Sequence, residues 1–206
     1  MKNMLFIMNP KAGRTTLKNS LVDVLEVFCN NDYAVRTYLT KSADDAERIV
    51  QEEGANYDVI VCAGGDGTLG NTVTGYMKSG IKVPLGYIPC GSTNDFARSM
   101  DIPRETVEAA EMIVKAEPFS IDIGSLNDKN FVYVAAFGMF SDTSYATPQN
   151  MKNIFGHAAY VLQGIKSLAN VPSYKMKVTI DGDEQEGEFI FCLLYTSDAA
   201  DDSLRV

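Results

Sequence analysis

Residues 57 to 68 read YDVIVCAGGDGT and join an apolar run to a glycine-rich loop. The run Tyr57–Ala63 is short and apolar, which predicts a buried strand that ends where the glycines begin. Residues 65 to 70 also fit G-x-G-x-x-G, the spacing of a dinucleotide-binding loop. Asp66 stands inside that loop, where its carboxylate would repel a pyrophosphate unless a cation lies between them. The composition indicates a phosphate-binding loop whose acidic residue needs an explanation.

The first 120 residues alternate apolar runs with amphipathic stretches. Besides the opening run, the predicted strands are Met4–Met8, Tyr33–Leu39 and Pro84–Ile88. The predicted helices are Leu17–Cys29, Asp44–Glu53 and Thr68–Lys78. This alternation predicts βαβ units and an α/β domain with a mostly parallel sheet, in which ligands bind at the carboxyl ends of the strands.

The pattern changes after Pro118, where apolar and polar residues alternate as in half-buried antiparallel strands. The strands predicted there are Phe119–Ile123, Phe131–Phe137, Tyr174–Ile180 and Glu186–Cys192. Asp181-Gly182 indicates a hairpin turn, and Met151–Ala169 has a helical apolar stripe. We therefore expect an α/β domain at residues 1–120 and part of a β-rich second domain at residues 121–191.

The composition excludes several classes of protein. A net charge of −9 argues against a nucleic-acid binder. No apolar run approaches the roughly 18 residues of a membrane span, and the start is too short for a signal peptide, so we expect a cytoplasmic protein. The four cysteines are widely spaced, which favours buried reduced thiols over a metal site or disulfides. His157, the only histidine, has no nucleophile motif near it.

Three loops carry the predicted chemistry. Asn9 to Arg14 follows the first strand and has small and basic residues, although an ordinary turn explains that loop about equally well. Gly64 to Thr68 lacks the Lys-Ser/Thr pair of a Walker A loop and follows the third strand, not the first, so it fits a Mg-nucleotide triphosphate better than a dinucleotide. The alternative is that Asp66 merely caps a helix that begins at Thr68.

The third loop, Pro89 to Asp95, follows the fourth strand. It has four consecutive residues able to cap a helix, more than one cap requires. We expect this loop to face the glycine-rich loop across one sheet edge, in a polar cleft that holds Asp66 and Asp95.

Taken in order, these segments resemble the diacylglycerol kinase catalytic family, and most closely its soluble bacterial lipid kinases. The motifs that carry the resemblance are NPKAG at 9–13, GGDGT at 64–68, GSTNDFAR at 91–98, IDIG at 121–124 and SYATP at 144–148. The family implies a fold similar to NAD kinases, with an α/β domain followed by a β-sandwich and ATP in the cleft between them. It also implies Mg²⁺ and transfer of the ATP γ-phosphate to a lipid hydroxyl.

The resemblance also implies roles for particular residues. Asp66 and Asp95 are the expected catalytic carboxylates, Asp122 matches a polar position near the cleft, and the metal ligands stay unassigned. The chain departs from the family at Gly70-Asn71, where Asn-Glu is usual, and at Ser92, where Thr is usual. The expected nucleotide contacts are Asn9, Pro10, Lys11, Ala12, Gly13, Thr40, Gly64, Gly65, Asp66, Gly67, Thr68, Ser92 and Asn94.

The end of the chain is unusual for the family, whose expected general base is a glutamate that follows Asp-Gly later in the sandwich. Residues 181 to 184 read DGDE, but their place between two strands predicts a hairpin turn instead. LLYTSDAAD, at 193–201, resembles the translation of a sequencing-library transposon adapter. We therefore expect the native sequence to stop near Phe191 and residues 192–206 to be a non-native tail.

Three functions remain open. The first is a lipid kinase, with ATP and a lipid at a membrane surface as partners. The second is an NAD kinase-like enzyme for a soluble substrate, and the third is an inactive nucleotide-binding fragment. Residues 143 to 180 contain no acid and four lysines, Lys152, Lys166, Lys175 and Lys177. Chance explains such a block more readily, but if the substrate lies at an anionic membrane we expect this block to be the peripheral membrane-facing surface. A homodimer is a further, untested expectation.

Overall fold

A computed structural model describes residues 1–12, 16–126, 129–138, 173–180 and 183–196. The described residues form two compact units. One runs from Met1 to Tyr133 together with Thr196, and the other runs from Val134 to Tyr195. The predicted helix at Met151–Ala169, the SYATP motif and His157 lie outside the described residues.

The first unit is the predicted α/β fold with a four-stranded parallel sheet in the order β2-β1-β3-β4. Its strands are β1 (Lys2–Met8), β2 (Tyr33–Leu39), β3 (Val59–Gly64) and β4 (Leu85–Pro89), followed by a short hairpin of β5 (Gly124–Leu126) and β6 (Lys129–Phe131). Its helices are α1 (Thr16–Asn30), α2 (Asp45–Glu53), α3 (Asp66–Ser79), α4 (Asp95–Ser99) and α5 (Thr106–Lys115), with one 3₁₀ turn at Gly54–Asn56.

The two central strands are continuously apolar because helices cover both faces of the sheet. On one face Phe6 packs edge-to-face on Phe28 of α1, with ring centroids 5.6 Å apart, and Ala109 and Ala110 of α5 join the same cluster. The other face packs against α2 and α3. Its buried residues are Leu5, Ile7 and Ile60 with Ala46, Ile49 and Val50 of α2, and Cys62 with Leu69 and Val73 of α3.

Three features of the described chain differ from the sequence prediction. The structure has no strand at Phe119–Ile123, because these residues pair with no neighbouring strand among those described. It also has α5, which the sequence reading missed. The predicted strand Phe131–Phe137 is divided by a bend at residues 132–133, because β6 pairs with β5 and the chain then turns into the second unit.

The second unit consists of β7 (Val134–Gly138), β8 (Tyr174–Ile180), β9 (Asp183–Phe189) and β10 (Phe191–Tyr195). Strands β8 and β9 pair antiparallel with Ile180 opposite Asp183, which confirms that these two segments pair as predicted. The predicted turn residues, Asp181-Gly182, lie outside the described residues. The predicted end of the strand pattern at Cys192 is wrong. Strand β10 continues to Tyr195 because its backbone pairs antiparallel with β7, and Leu193 lies opposite Ala136.

The cysteines follow the expected pattern only in part. Cys62 and Cys90 are buried, and burial raises the pKa of each thiol to about 12. Cys29 is exposed and Cys192 is half-buried, because each lies on a side of its element that the described core does not cover. All four are free thiols.

The close approach of α2 to α3 gives a test of this packing. A Cβ added at Gly75 would lie 2.9 Å from the Cα of Glu47 and closer still to its carbonyl oxygen. Since backbone cannot move aside as a side chain can, we expect Gly75→Ala to lower the free energy of unfolding by about 1–3 kcal/mol. Urea denaturation followed by circular dichroism measures this.

Gly70→Ala, in the same helix, is the matched control. A Cβ there would meet only Asn130 O at 4.0 Å, an ordinary contact. We expect it to be neutral or to stabilise the chain by up to about 1 kcal/mol through helix propensity. Equal destabilisation by both variants would contradict the proposed packing.

Candidate functional site

The loops that follow β1 and β3 meet at the carboxyl edge of the sheet through Asn9. The Asn9 backbone N–H donates to Ala63 O at 2.9 Å, and its Nδ2 donates to Thr68 Oγ1 at 3.0 Å. Its Oδ1 accepts from the Lys11 N–H at 2.9 Å, which turns the chain back over the strand end. Asn9 therefore joins the first two predicted loops and shapes the first.

The loops that follow β3 and β4 touch through their backbones. A Cβ added at Gly91 would lie 2.6 Å from the Cα of Gly65, so only glycine fits at this approach. The Cys90 N–H donates to Gly64 O at 2.7 Å and extends the ladder past the strand ends. The structure thus brings the second and third loops together at one edge, as the sequence predicts.

Asn94 closes the third loop on itself. It is buried and has left-handed backbone angles, φ 53° and ψ 54°, which asparagine tolerates better than most residues. Its Oδ1 accepts from the Gly91 N–H at 2.8 Å, and its Nδ2 donates to Gly91 O at 2.9 Å. Although Asn94 directly precedes α4, its side chain makes no capping hydrogen bond to that helix.

Asp66 is the first residue of α3, and Gly65 holds the capping position. The alternative that Asp66 is only a helix cap is therefore wrong, because the helix begins two residues earlier than predicted. Its Oδ1 is buried and has no hydrogen-bond partner among the described residues. Burial, and next the charge of Asp95, raise the pKa of Asp66, while the backbone N–H groups of Phe96 and Asn94 oppose that rise. The two predicted carboxylates thus lie close enough to interact.

The donor set at Asp66 fits one hard cation. No group of three or more His, Cys, Asp or Glu residues gathers as a metal site in the part of the chain that the structure describes. Mg²⁺ needs only one or two carboxylates when phosphates and waters complete its octahedron. The unpaired Oδ1 of Asp66 is a free oxygen ligand of that kind.

The other predicted site residues are placed around this edge in different ways. Thr40 is 7% exposed, and its N–H donates to Met8 O at 2.9 Å, beside the start of the first loop. Pro10, Lys11, Gly67 and Ser92 are exposed, and Ala12 is half-buried. Asp122 is also exposed, and in the described residues no hydrogen bond joins it or Ser92 to the other loops. Gly13 lies outside the described residues.

Sequence reasoning missed Tyr87, on β4. Its hydroxyl lies 3.1 Å from Gly64 O and 3.3 Å from Asn94 Oδ1, at the junction of two loops. Burial, and next the charge of Asp66, raise its pKa. The signal in the sequence is a single tyrosine in the strand LGYIP, which otherwise lacks a side-chain hydrogen-bonding group.

Within the described residues, none of the helices has the length and apolar character needed to cross a bilayer.

Comparison with known proteins gives consistent findings. The family model of the diacylglycerol kinase catalytic domain matches residues 3–126. A diacylglycerol kinase of Staphylococcus aureus (strain Newman) is 34% identical over 197 residues, which cover 94% of this chain and 62% of the relative. The chain therefore spans less than two thirds of the length of the curated relatives it matches.

Solved structures show the same similarity. The crystal structure of a diacylglycerol kinase from Bacillus anthracis str. Sterne has a TM-score of 0.75 at 27% identity, with 93% of this chain and 63% of that chain covered. A second solved chain from this organism has a TM-score of 0.79 at 29% identity and is covered to 64%.

The raised pKa of Asp66 predicts a pH-dependent stability. The pKa of Asp66 in the folded chain lies above its ordinary value of 3.8, so the folded chain binds the proton more tightly than the unfolded chain does. The free energy of unfolding therefore falls as the pH rises from 3.8 toward the folded pKa. We expect Asp66→Asn to be more stable than the parent by roughly 1 kcal/mol at neutral pH, because the variant removes the negative charge of the partly buried Asp66 carboxylate. The gain should shrink toward about pH 4 and below.

Urea denaturation at a series of pH values measures this difference. Asp23→Asn, on an exposed position of α1, is the matched control and should leave the free energy of unfolding unchanged. A variant at Asp66 that is less stable than the parent at neutral pH would contradict the assignment, as would a difference that does not vary with pH.

Proposed function

The chain belongs to the diacylglycerol kinase catalytic domain family, and from this premise we propose that it binds Mg-ATP at the carboxyl edge of its parallel sheet for transfer of the γ-phosphate to a lipid hydroxyl. The observation that supports this proposal most directly is the unpaired Oδ1 of Asp66 beside the glycine-rich loop. A carboxylate is unsuitable beside phosphates alone, but it suits phosphates that arrive with a divalent cation.

The glycine-rich loop supplies the phosphate contacts in this proposal. Helix α3 begins at Asp66, so the positive end of its dipole favours an anion there. No atom lies within 4 Å of the position that a Cβ would take at Gly67, so a ligand could approach its backbone. Asn9 and Thr68 hold the neighbouring loop against this helix end.

The carboxylates account for the charge balance. Asp66 would hold the magnesium ion, the charge of Asp95 would add to the attraction for the cation, and the ion when bound would neutralise charge on the phosphates. In phosphoryl transfer a protein acts mainly by positioning the reactants and by stabilising charge. In the transfer the lipid O–H bond breaks, a new O–P bond forms, and the bond between the β- and γ-phosphates breaks to release ADP.

Glu184 is a poor choice for the base that accepts the lipid proton. It lies on β9, and its Oε2 is 2.6 Å from the Nζ of Lys177 across the hairpin. Glu184 is therefore engaged in an ion pair across the β8–β9 pairing. This supports keeping the base unassigned.

The block without acidic residues is only partly suited to a membrane surface. On the described hairpin, Lys175 lies 4.0 Å from Glu188 and Lys177 pairs with Glu184, so strand β9 offsets both lysines. We therefore narrow the proposal to Lys152 and Lys166 as the residues that draw a cytoplasmic, peripheral enzyme to anionic lipid. The homodimer stays an untested prediction.

The phosphoryl-transfer test uses labelled ATP and Mg²⁺ with three acceptors: diacylglycerol in mixed micelles, a sphingoid base and NAD. We expect label in the diacylglycerol product, reduced roughly 100-fold by Asp66→Ala, because charge stabilisation at the transferred group is lost. Asp23→Ala is the matched control and should keep the parent rate.

The three candidate functions give different results. Phosphorylation of NAD alone would contradict the lipid kinase and favour the soluble-substrate kinase. Binding of Mg-ATP without transfer to any acceptor would favour the nucleotide-binding fragment. A lipid product that is insensitive to Asp66→Ala would contradict the site, although not the activity.

The membrane surface is tested with vesicles that contain phosphatidylserine. We expect Lys152→Gln and Lys166→Gln to weaken vesicle binding about fivefold each, since a lysine near an anionic surface contributes about 1 kcal/mol. Sedimentation with vesicles at low and high salt measures the partition coefficient.

Lys175→Gln and Lys177→Gln form the matched control pair, because each lysine already faces a glutamate. We expect a smaller effect from this pair. Vesicle binding that does not change with Lys152 and Lys166 replaced would contradict the surface assignment and leave the nucleotide site unaffected.

A further inference from the structure

We propose that Tyr87 is a positioning residue whose hydroxyl fixes the spacing between the Gly64–Thr68 loop and the Gly91–Asn94 loop, and thereby the placement of Asp66. The inference rests on the proposed function for what Asp66 does with the nucleotide. Its structural part rests on the described contacts alone.

The hydroxyl of Tyr87 lies between two acceptors that belong to different loops, and its single proton is shared between them. It lies 3.1 Å from Gly64 O and 3.3 Å from Asn94 Oδ1. Each acceptor already has another donor: the Cys90 N–H at 2.7 Å for Gly64 O, and the Gly91 N–H at 2.8 Å for Asn94 Oδ1. Since neither acceptor depends on the hydroxyl to avoid being unpaired, its contribution is the link between the loops.

The ring of Tyr87 is held where this link requires it. The residue is 4% exposed, and its ring lies against that of Phe96, with centroids 6.2 Å apart and planes tilted by 52°. The same buried cluster includes Leu69 of α3 and Ala97 of α4. The tyrosine thus packs in one cluster with both helices that carry the carboxylates, Asp66 on α3 and Asp95 on α4.

The contact between Gly65 and Gly91 limits how far the two loops can approach each other. Because a Cβ at Gly91 would come within 2.6 Å of the Gly65 Cα, no side chain separates the two backbones at this point. Gly65 directly precedes Asp66, so a change in this separation moves the carboxylate. The hydroxyl lies at the same junction and opposes separation, which the glycine contact alone does not.

The phenol stays a donor throughout the working pH range. Burial and the charge of Asp66 both raise its pKa, so it does not ionise near neutral pH. Tyr87 therefore acts through a neutral hydrogen bond.

The test is Tyr87→Phe, which keeps the ring and removes the hydroxyl, in the full chain without ligand. We expect hydrogen exchange of the Cys90 and Gly91 amides to rise about 2- to 10-fold, the effect of one net hydrogen bond, because their acceptors lose a shared anchor. We expect the affinity for Mg-ATP, measured by calorimetry, to fall by a similar factor.

Tyr76→Phe is the matched control. Its hydroxyl donates to Val83 O at 2.8 Å in the same unit, away from the loops, and burial raises its pKa as well. We expect a comparable loss of overall stability with no change in exchange of the Cys90 and Gly91 amides or in Mg-ATP affinity.

Two results would overturn the inference: unchanged exchange of these amides in Tyr87→Phe, or the same change in Tyr76→Phe. A parent chain that does not bind Mg-ATP would instead count against the proposed function. In that case the exchange comparison still decides whether Tyr87 positions the loops.

Discussion

The parallel pairing of β1 with β3 is the constraint on which the site depends. Met4–Met8 lies opposite Val59–Ala63, and both runs are buried. This register places the ends of the two strands side by side, so that Asn9 reaches both Ala63 and Thr68. A slip of one residue would move each side chain of the slipped strand to the opposite face, against the other helix layer, and would separate these partners. The core packing and the loop geometry are therefore set by the same alignment.

Within the site, the polar groups divide into two kinds. The side-chain amides of Asn9 and Asn94 bond to neighbouring protein atoms, and they shape the loops. Asp66 differs, since one of its oxygens is buried without a partner and the adjacent charge of Asp95 adds to the cost of ionising it. Such an arrangement is unfavourable for the fold alone. It becomes favourable when a cation is shared by the carboxylate and a bound phosphate.

The features that could be predicted from the sequence are those that depend on residues close together in the chain. Runs such as Met4–Met8 are apolar and followed by turn residues, and the glycine-rich loop is distinctive in composition, so both could be predicted. The segment Phe119–Ile123 alternates as a strand does, but alternation cannot supply a partner strand. Tyr87 was missed for a related reason, because the acceptors of its hydroxyl are 23 and 7 residues away in sequence and meet it only in the fold.

Where Gly65 meets Gly91, the two loops touch without side chains. At most packed positions a larger side chain can be compensated by a smaller one opposite. Here both partners are glycine, so neither side chain can be made smaller. A Cβ would lie 2.6 Å from backbone at Gly91 and 3.2 Å from backbone at Gly65, so a side chain at either position must be accommodated by movement of a loop backbone. The exposed Ser92, next along the chain, can be replaced with little consequence for packing. The tolerance of this junction to change is therefore set by the backbone of two separate loops.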